Sequence, residues 1–307
     1  MSDAKACLLV LTAAPGENRL GESHVAAAVA ALGGDAIAEA RWLSPGEAWE
    51  AHVQAGAALP LPTLKARIAA ALGPAPVDVN VLALGGADRR KKLLVADMES
   101  TIIVQECLDE LAEYAGIRPR IAAITERAMR GELDFEAALK ERVGLLAGLD
   151  AGVLQEIYDR RVSLMPGAAV LVATLKAHGA YCALVSGGFS FYTERIAARL
   201  GFDTQQANTL EIAGGKLTGT VAAPILGREA KLDALQRLAR QLGIAAADAL
   251  ATGDGANDLA MIKAAGLGVA FRAKPIVAAE AQASVRHGDL TALLYLQGYH
   301  ADEFVRA

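Results

Sequence analysis

The apolar run Leu93-Leu94-Val95-Ala96 breaks abruptly into Asp97-Met98-Glu99-Ser100-Thr101. Two carboxylates so spaced can divide the work of a displacement, one attacking and the other moving a proton. Asp97 is the candidate nucleophile and Glu99 the candidate acid/base. Strand alternation would turn both toward one site if the extended geometry reached that far. A lone D-x-E is more often an ordinary strand end, so the pair needs company, and two further strand ends supply it. Tyr181-Cys182-Ala183-Leu184-Val185 stops on Ser186-Gly187-Gly188, where glycines let backbone N–H groups approach an anion and Ser186 adds a hydroxyl. Ala249-Leu250-Ala251-Thr252 stops on Gly253-Asp254-Gly255-Ala256-Asn257-Asp258, an oxygen-rich set suited to magnesium. Between them, Lys231 offers a compact positive charge. A carboxylate attacking a phosphate dianion meets repulsion that a divalent cation and an ammonium offset, so phosphoryl transfer fits all the parts.

The elements that must position these residues follow from periodicity. From Leu93 onward strands alternate with helices, near 167–178, 189–200, 228–242 and 257–264, which predicts a doubly wound parallel α/β sheet. A hairpin is expected in 204–222 around Gly214-Gly215 and a last short strand at Gly268-Val269-Ala270. Residues 105–160 interrupt the alternation with polar, helix-forming segments and no convincing strand, so they read as a helical insert. Ahead of the sheet, residues 6–84 form a smaller α/β unit whose order resembles the βαββαβ of ACT-type regulatory domains. The expected division is 1–85 for that unit and 86–307 for the larger one, joined through Gly85-Gly86-Ala87 and the charge run Asp88-Arg89-Arg90-Lys91-Lys92, which reads as a solvated connector.

The 307 residues are 53% hydrophobic, ample for real cores. With 35 acids against 30 Lys+Arg, the chain lacks the broad positive field that nucleic acid demands, and an anionic substrate needs local cations. Cys7, Cys107 and Cys182 are odd in number and widely spaced, which suits a reducing compartment and small buried hydrophobes. The five histidines show no ligand spacing. No apolar run reaches the roughly 18–20 residues of a membrane span. The segment from Lys5 to Ala14 imitates a signal-peptide core, but Asp3 spoils the positive region before it, and a first strand explains it as well. A cytoplasmic protein with a small-molecule substrate is expected, with homodimer formation left open.

Asp97-Met98-Glu99-Ser100-Thr101, Ser186-Gly187-Gly188, Lys231 and Gly253 to Asp258 resemble, in order, the four motifs of the haloacid-dehalogenase-like phosphatases. The insert, with Glu106, the run Thr125 to Phe135 and Arg142, closely resembles the helical cap of the phosphoserine phosphatases, and the likeness covers residues 93–298. It implies Mg²⁺-dependent hydrolysis of O-phospho-L-serine through an aspartyl-phosphate on Asp97, the last step of serine biosynthesis. Glu99 would protonate the leaving oxygen and then activate water. Magnesium would be held by the Asp97 carboxylate, the Glu99 backbone carbonyl and Asp254, with Asp258 behind them. Ser186, the Gly187 amide, Lys231 and Asn257 would hold the phosphoryl group. Glu106 would meet the substrate ammonium and Arg142 its carboxylate, while Met129 and Phe135 close over the site.

One residue departs from the family pattern, which has Asp where this chain has Glu99. The intrinsic acidities are close, about 4.3 against 3.9. Reach differs: an extra methylene moves a carboxyl by roughly 1 Å, and such a misplacement can cost about 100-fold. Retained activity is expected. Other small phosphomonoesters as substrates, transfer to a second alcohol, and a serine-sensing regulator that has lost catalysis are the alternatives.

Overall fold

The computed structural model describes residues 5–16, 19–33, 36–55, 60–84, 88–130 and 132–306. The connector residues Gly85-Gly86-Ala87 lie outside them.

The first unit runs β1 (Lys5–Ala13), α1 (Glu22–Leu32), β2 (Ala36–Ser44), β3 (Ala48–Ala55), α2 (Leu61–Leu72) and β4 (Val77–Ala83), the βαββαβ order of an ACT-like domain. Its sheet is antiparallel, in the order β2-β3-β1-β4. Alternation along β1 divides its residues between two cores. Cys7, Leu9 and Leu11 pack with Leu64, Ile68 and Leu72 of α2, while Leu8 and Val10 join the core of the larger unit.

That unit begins with β5 (Leu93–Ala96), followed by the helices α3 (Cys107–Tyr114), α4 (Arg118–Met129), α5 (Phe135–Gly144) and α6 (Gly152–Arg160). These occupy the expected insert. The alternation then resumes with α7 (Ala168–Ala177), β6 (Tyr181–Phe189), α8 (Ser190–Leu200), β7 (Thr204–Asn208), the hairpin β8 (Leu210–Ala213) and β9 (Lys216–Val221), and α9 (Ala230–Leu242). It ends with β10 (Ala249–Gly253), α10 (Leu259–Ala264), β11 (Leu267–Phe271), α11 (Pro275–Glu280), β12 (Ala283–Val285) and α12 (Ala292–Tyr295). The sheet is parallel throughout, in the order β12-β11-β10-β5-β6-β7, so β5 lies inside it, flanked by the two other site-bearing strands.

Three expectations need correction. Residues 204–208 form no part of a hairpin; they pair with β6 as an edge strand, and the hairpin is confined to β8 and β9. β6 does not stop at Val185 but runs on to Phe189, with its pairing to β7 interrupted between those two residues, which leaves Ser186-Gly187-Gly188 extended and off the ladder. The charge run is no solvated connector. Lys91 is buried, its ammonium donating to the Asp88 and Ala247 carbonyls at 2.7 and 2.8 Å. Arg89 donates to the buried carboxylate of Glu50 at 2.6 Å and to the Tyr295 and Leu296 carbonyls, and Arg90 holds Glu303. Of the three, Arg89 joins the two units, tying Glu50 of the first to the Tyr295 and Leu296 carbonyls of the second.

The edges of the sheets meet at a polar seam. The Asn80 amide on β4 accepts from the Ser284 amide at 2.8 Å and donates to the Ser284 carbonyl at 3.0 Å, replacing strand pairing along β12. The Asp78 carboxylate collects the N–H groups of Arg286, His287 and Gly288. All three cysteines are buried. No helix among the described residues is long and apolar enough to cross a membrane.

Candidate active site

Asp97 follows directly on β5, and its amide donates to the Thr252 carbonyl of β10 at 3.0 Å, so strand pairing fixes where its carboxylate starts. The extended geometry does not carry on to Glu99. Amides of Thr101, Ile102 and Ile103 converge on the Met98 carbonyl, and Ser100 takes φ 54°, a left-handed conformation uncommon for non-glycine residues. A tight turn, rather than strand alternation, brings the Glu99 carboxyl around. There its Oε1 accepts the Cys107 amide, the first of α3, at 2.7 Å.

Asp97 divides its oxygens. Oδ1 accepts the Met98 amide at 2.7 Å, and Oδ2 faces the Lys231 ammonium at 2.7 Å. Lys231, buried at the start of α9, also binds Asp258 Oδ1 at 2.5 Å, and Asp258 Oδ2 takes the Gly255 amide at 2.9 Å. Asp254 completes the group, with carboxylate oxygens of Asp97, Asp254 and Asp258 all within 4.8 Å of one another. Gly253 permits this closeness, because a Cβ there would sit 2.2 Å from the Asp258 carboxyl carbon.

One lysine does not neutralise so many acids. Burial and then the Asp258 charge push the Asp97 carboxyl well above its ordinary range, against the pull of Lys231. Burial, then Asp258 and Glu106, raise Asp254 to about 6. Burial, then the Glu106 charge, raises Glu99 to about 7. Burial works against the Lys231 charge, but Asp97 and Asp258 more than offset it and hold the ammonium at about 12. An all-oxygen donor set with acids strained toward protonation is what a hard divalent cation relieves, so these residues fit a magnesium ion.

Ser186, Gly187, Lys231, Asn257 and Phe135 line one small cavity beside this cluster. The Ser186 hydroxyl oxygen accepts the Gly188 amide at 2.9 Å, and the Gly187 carbonyl is held by the Asn208 amide at 2.9 Å. A Cβ on Gly187 would stand 3.3 Å from Phe135 Cζ, so the glycine lets the first residue of α5 close onto the cradle. Glu106 is exposed at the start of α3 and takes the Ser100 hydroxyl at 2.6 Å. Arg142, half-buried on α5, donates to the Ala138 carbonyl at 3.1 Å and has no ion pair among the described residues. Burial lowers its pKa against the pull of Asp109, Glu99 and Glu106, which places the guanidinium within the field of the same acids. The Met129 side chain lies outside the described residues.

Sequence reasoning missed Gly227 and Arg228, which also line the small cavity from the loop before α9, and the buried hydroxyls of Thr101 and Thr252, which have no hydrogen-bond partner. A loop without periodicity gives no signal for the first pair. Thr101 stood inside one recognised motif, and Thr252 directly before another, at the end of an apolar run.

The haloacid dehalogenase-like hydrolase family matches residues 94–263, more than half of the chain and all of the cluster just described. The chain belongs to this family. A phosphoserine phosphatase of Streptomyces coelicolor is 47% identical over 244 residues, which cover 80% of this chain and 58% of the relative. Another, of Mycobacterium tuberculosis, is 45% identical over 231 residues, covering 75% and 56%. The chain thus spans little more than half the length of these two relatives. The crystal structure of a probable phosphoserine phosphatase from Vibrio cholerae, in unliganded form, superposes with a TM-score of 0.79 at 34% identity, over 99% of this chain and 90% of that one. Within the haloacid dehalogenase-like fold, α3 to α6 take the place of the helical cap.

Proposed function

We propose that this chain is a cytoplasmic, Mg²⁺-dependent phosphoserine phosphatase that hydrolyses O-phospho-L-serine to serine and phosphate through an aspartyl-phosphate, the closing step of serine biosynthesis. Residues 1–85 act as the regulatory-like unit, and residues 86–307 carry the chemistry, with the cap at about 105–160. The observation that carries the reading is the buried Asp97–Lys231–Asp258 bridge, with Asp254 beside it and the Ser186-Gly187 cradle opening next to it.

Asp97 attacks phosphorus, and its carboxylate becomes the acyl-phosphate. Glu99, with a pKa near 7, is poised to donate a proton to the departing serine oxygen and then to take one from the attacking water. Lys231, the Ser186 hydroxyl, the Gly187 amide and Asn257 hold the phosphoryl oxygens and stabilise the charge that develops on them. Asp97, the Glu99 backbone carbonyl and Asp254 would hold magnesium, with Asp258 behind them fixing Lys231. The ion supplies Lewis-acid polarisation of the phosphoryl group and relief of carboxylate–phosphate repulsion. In the cap, Glu106 takes the substrate ammonium, Arg142 its carboxylate in a two-pronged contact, and Met129 and Phe135 exclude water.

Phosphate release from phosphoserine tests this. The expected result is turnover with Mg²⁺, none after chelation, and recovery when Mg²⁺ is returned. No release under any of these conditions, together with measurable serine binding, would favour a regulator instead.

A further inference from the structure

Glu99 carries one methylene more than an aspartate would, and the structure shows where its carboxyl lies. The Glu99 carboxyl lies close against Gly188: a Cβ built there would stand 2.6 Å from Oε2, 2.9 Å from Cδ and 3.0 Å from Oε1. All three carboxyl atoms therefore occupy the volume that a side chain at 188 would need. The group cannot simply swing away, because Oε1 is held by the Cys107 amide at 2.7 Å.

Gly188 is absent from the glycines with positive φ, so its backbone conformation suits any residue. Its amide is taken by Ser186 Oγ at 2.9 Å, so it is not a spare donor for a phosphate oxygen. What the glycine provides is room, and the group that uses the room is the carboxyl of Glu99.

We propose that Gly188 is a positioning residue for Glu99: the missing Cβ on β6 and the Cys107 amide of the cap together form the socket in which the Glu99 carboxyl is held. The inference rests on the reading of Glu99 as acid/base, but the packing claim stands separately. A methyl group at 188 overfills the socket only while the longer carboxylate is in it. Shortening residue 99 to aspartate withdraws the carboxyl and empties the space.

The test is a double-mutant cycle of wild type, Gly188→Ala, Glu99→Asp and the double variant, read by turnover of phosphoserine with Mg²⁺ and by the thermal midpoint of the metal-free protein. In the glutamate background Gly188→Ala is expected to lower kcat by about 30- to 100-fold, as a roughly 1 Å displacement of an acid/base would, with KM little changed. In the aspartate background the same substitution is expected to cost less than about 3-fold, close to the limit for independent sites. The thermal midpoint follows the same pattern, with a fall of about 3 °C or more only when Glu99 is present. Should Gly188→Ala fail to fold, recovery of folding in the double variant supports the pairing, and failure of both overturns it. Equal losses in the two backgrounds, in rate or in melting, overturn it as well. If none of the four proteins hydrolyses phosphoserine, the melting cycle still decides the packing claim, and the proposed activity fails separately.

Discussion

The Lys231 ammonium lies 2.7 Å from Asp97 Oδ2, both side chains under a tenth exposed, at the meeting of the first helix turn of α9 with the end of β5. Asp97 thus has both carboxylate oxygens engaged, Oδ2 by Lys231 and Oδ1 by the Met98 amide, and its unfavourable burial is partly offset by an ammonium that Asp258 holds from behind.

Replacing that ammonium is expected to remove charge stabilisation from the transition state more than substrate affinity. Lys231→Met should lower kcat by at least about 100-fold, as loss of one oxyanion-stabilising donor does, with a smaller change in KM. Steady-state kinetics with phosphoserine check this; a kcat within a few-fold of wild type would remove Lys231 from the phosphoryl site.

Arg142 has its charge free of any ion pair among the described residues and lies in the cap. Arg142→Lys keeps the charge and loses the planar two-pronged contact. It should lower kcat/KM for phosphoserine by about 10- to 100-fold, in line with the 1.5–3 kcal/mol of a charged hydrogen bond. Phosphoethanolamine, which lacks the carboxylate, should be turned over equally by the two proteins, and an equal loss on both substrates would assign Arg142 to folding of the cap.

These residues were legible in the sequence because each stands where an apolar run breaks or inside a motif of fixed order. Asp97, Ser186, Asp254 and Lys231 needed no tertiary knowledge to be singled out. Arg89 and Lys91 were misread because what they bind is remote along the chain: Glu50, the Tyr295 and Leu296 carbonyls, and the Ala247 carbonyl. A cluster of cations looks solvated until its partners are known. β12 spans three residues, too few for a periodic signal, yet it carries the seam with β4. The turn at Ser100 was hidden because the local residues permit an extended course, and the converging amides on the Met98 carbonyl decide against it.

Glu50 makes stability depend on acid. Burial opposes its charge, but hydrogen bonds and attraction from Arg89 and Arg41 win, and its pKa falls below the ordinary glutamate value. The folded state therefore binds fewer protons than the unfolded one around that value, so this contribution is complete above it and is lost as pH falls toward the lowered folded pKa. Arg89→Met leaves the carboxylate buried with only Arg41 and should cost about 3 kcal/mol at neutral pH. Urea denaturation at pH 7.5 and pH 4 checks both points: the deficit of the variant should shrink in acid, and a constant deficit would assign the loss to packing.

Asp78 gives the seam its own test. Its carboxylate satisfies three consecutive amides after β12, so Asp78→Ala should destabilise the protein by about 2–3 kcal/mol and speed hydrogen exchange at Arg286, His287 and Gly288 ahead of the core strands. Unchanged exchange at those amides would show that the seam holds without it.

The central claim is that Asp97 is phosphorylated during turnover, and acid quenching of the protein with phosphoserine and Mg²⁺, followed by peptide mass spectrometry, addresses it directly. A phosphoryl group on the peptide containing Asp97, labile to mild base and absent from Asp97→Asn, is the predicted result. Phosphate release by Asp97→Asn at the wild-type rate, with no labelled peptide from either protein, would contradict it.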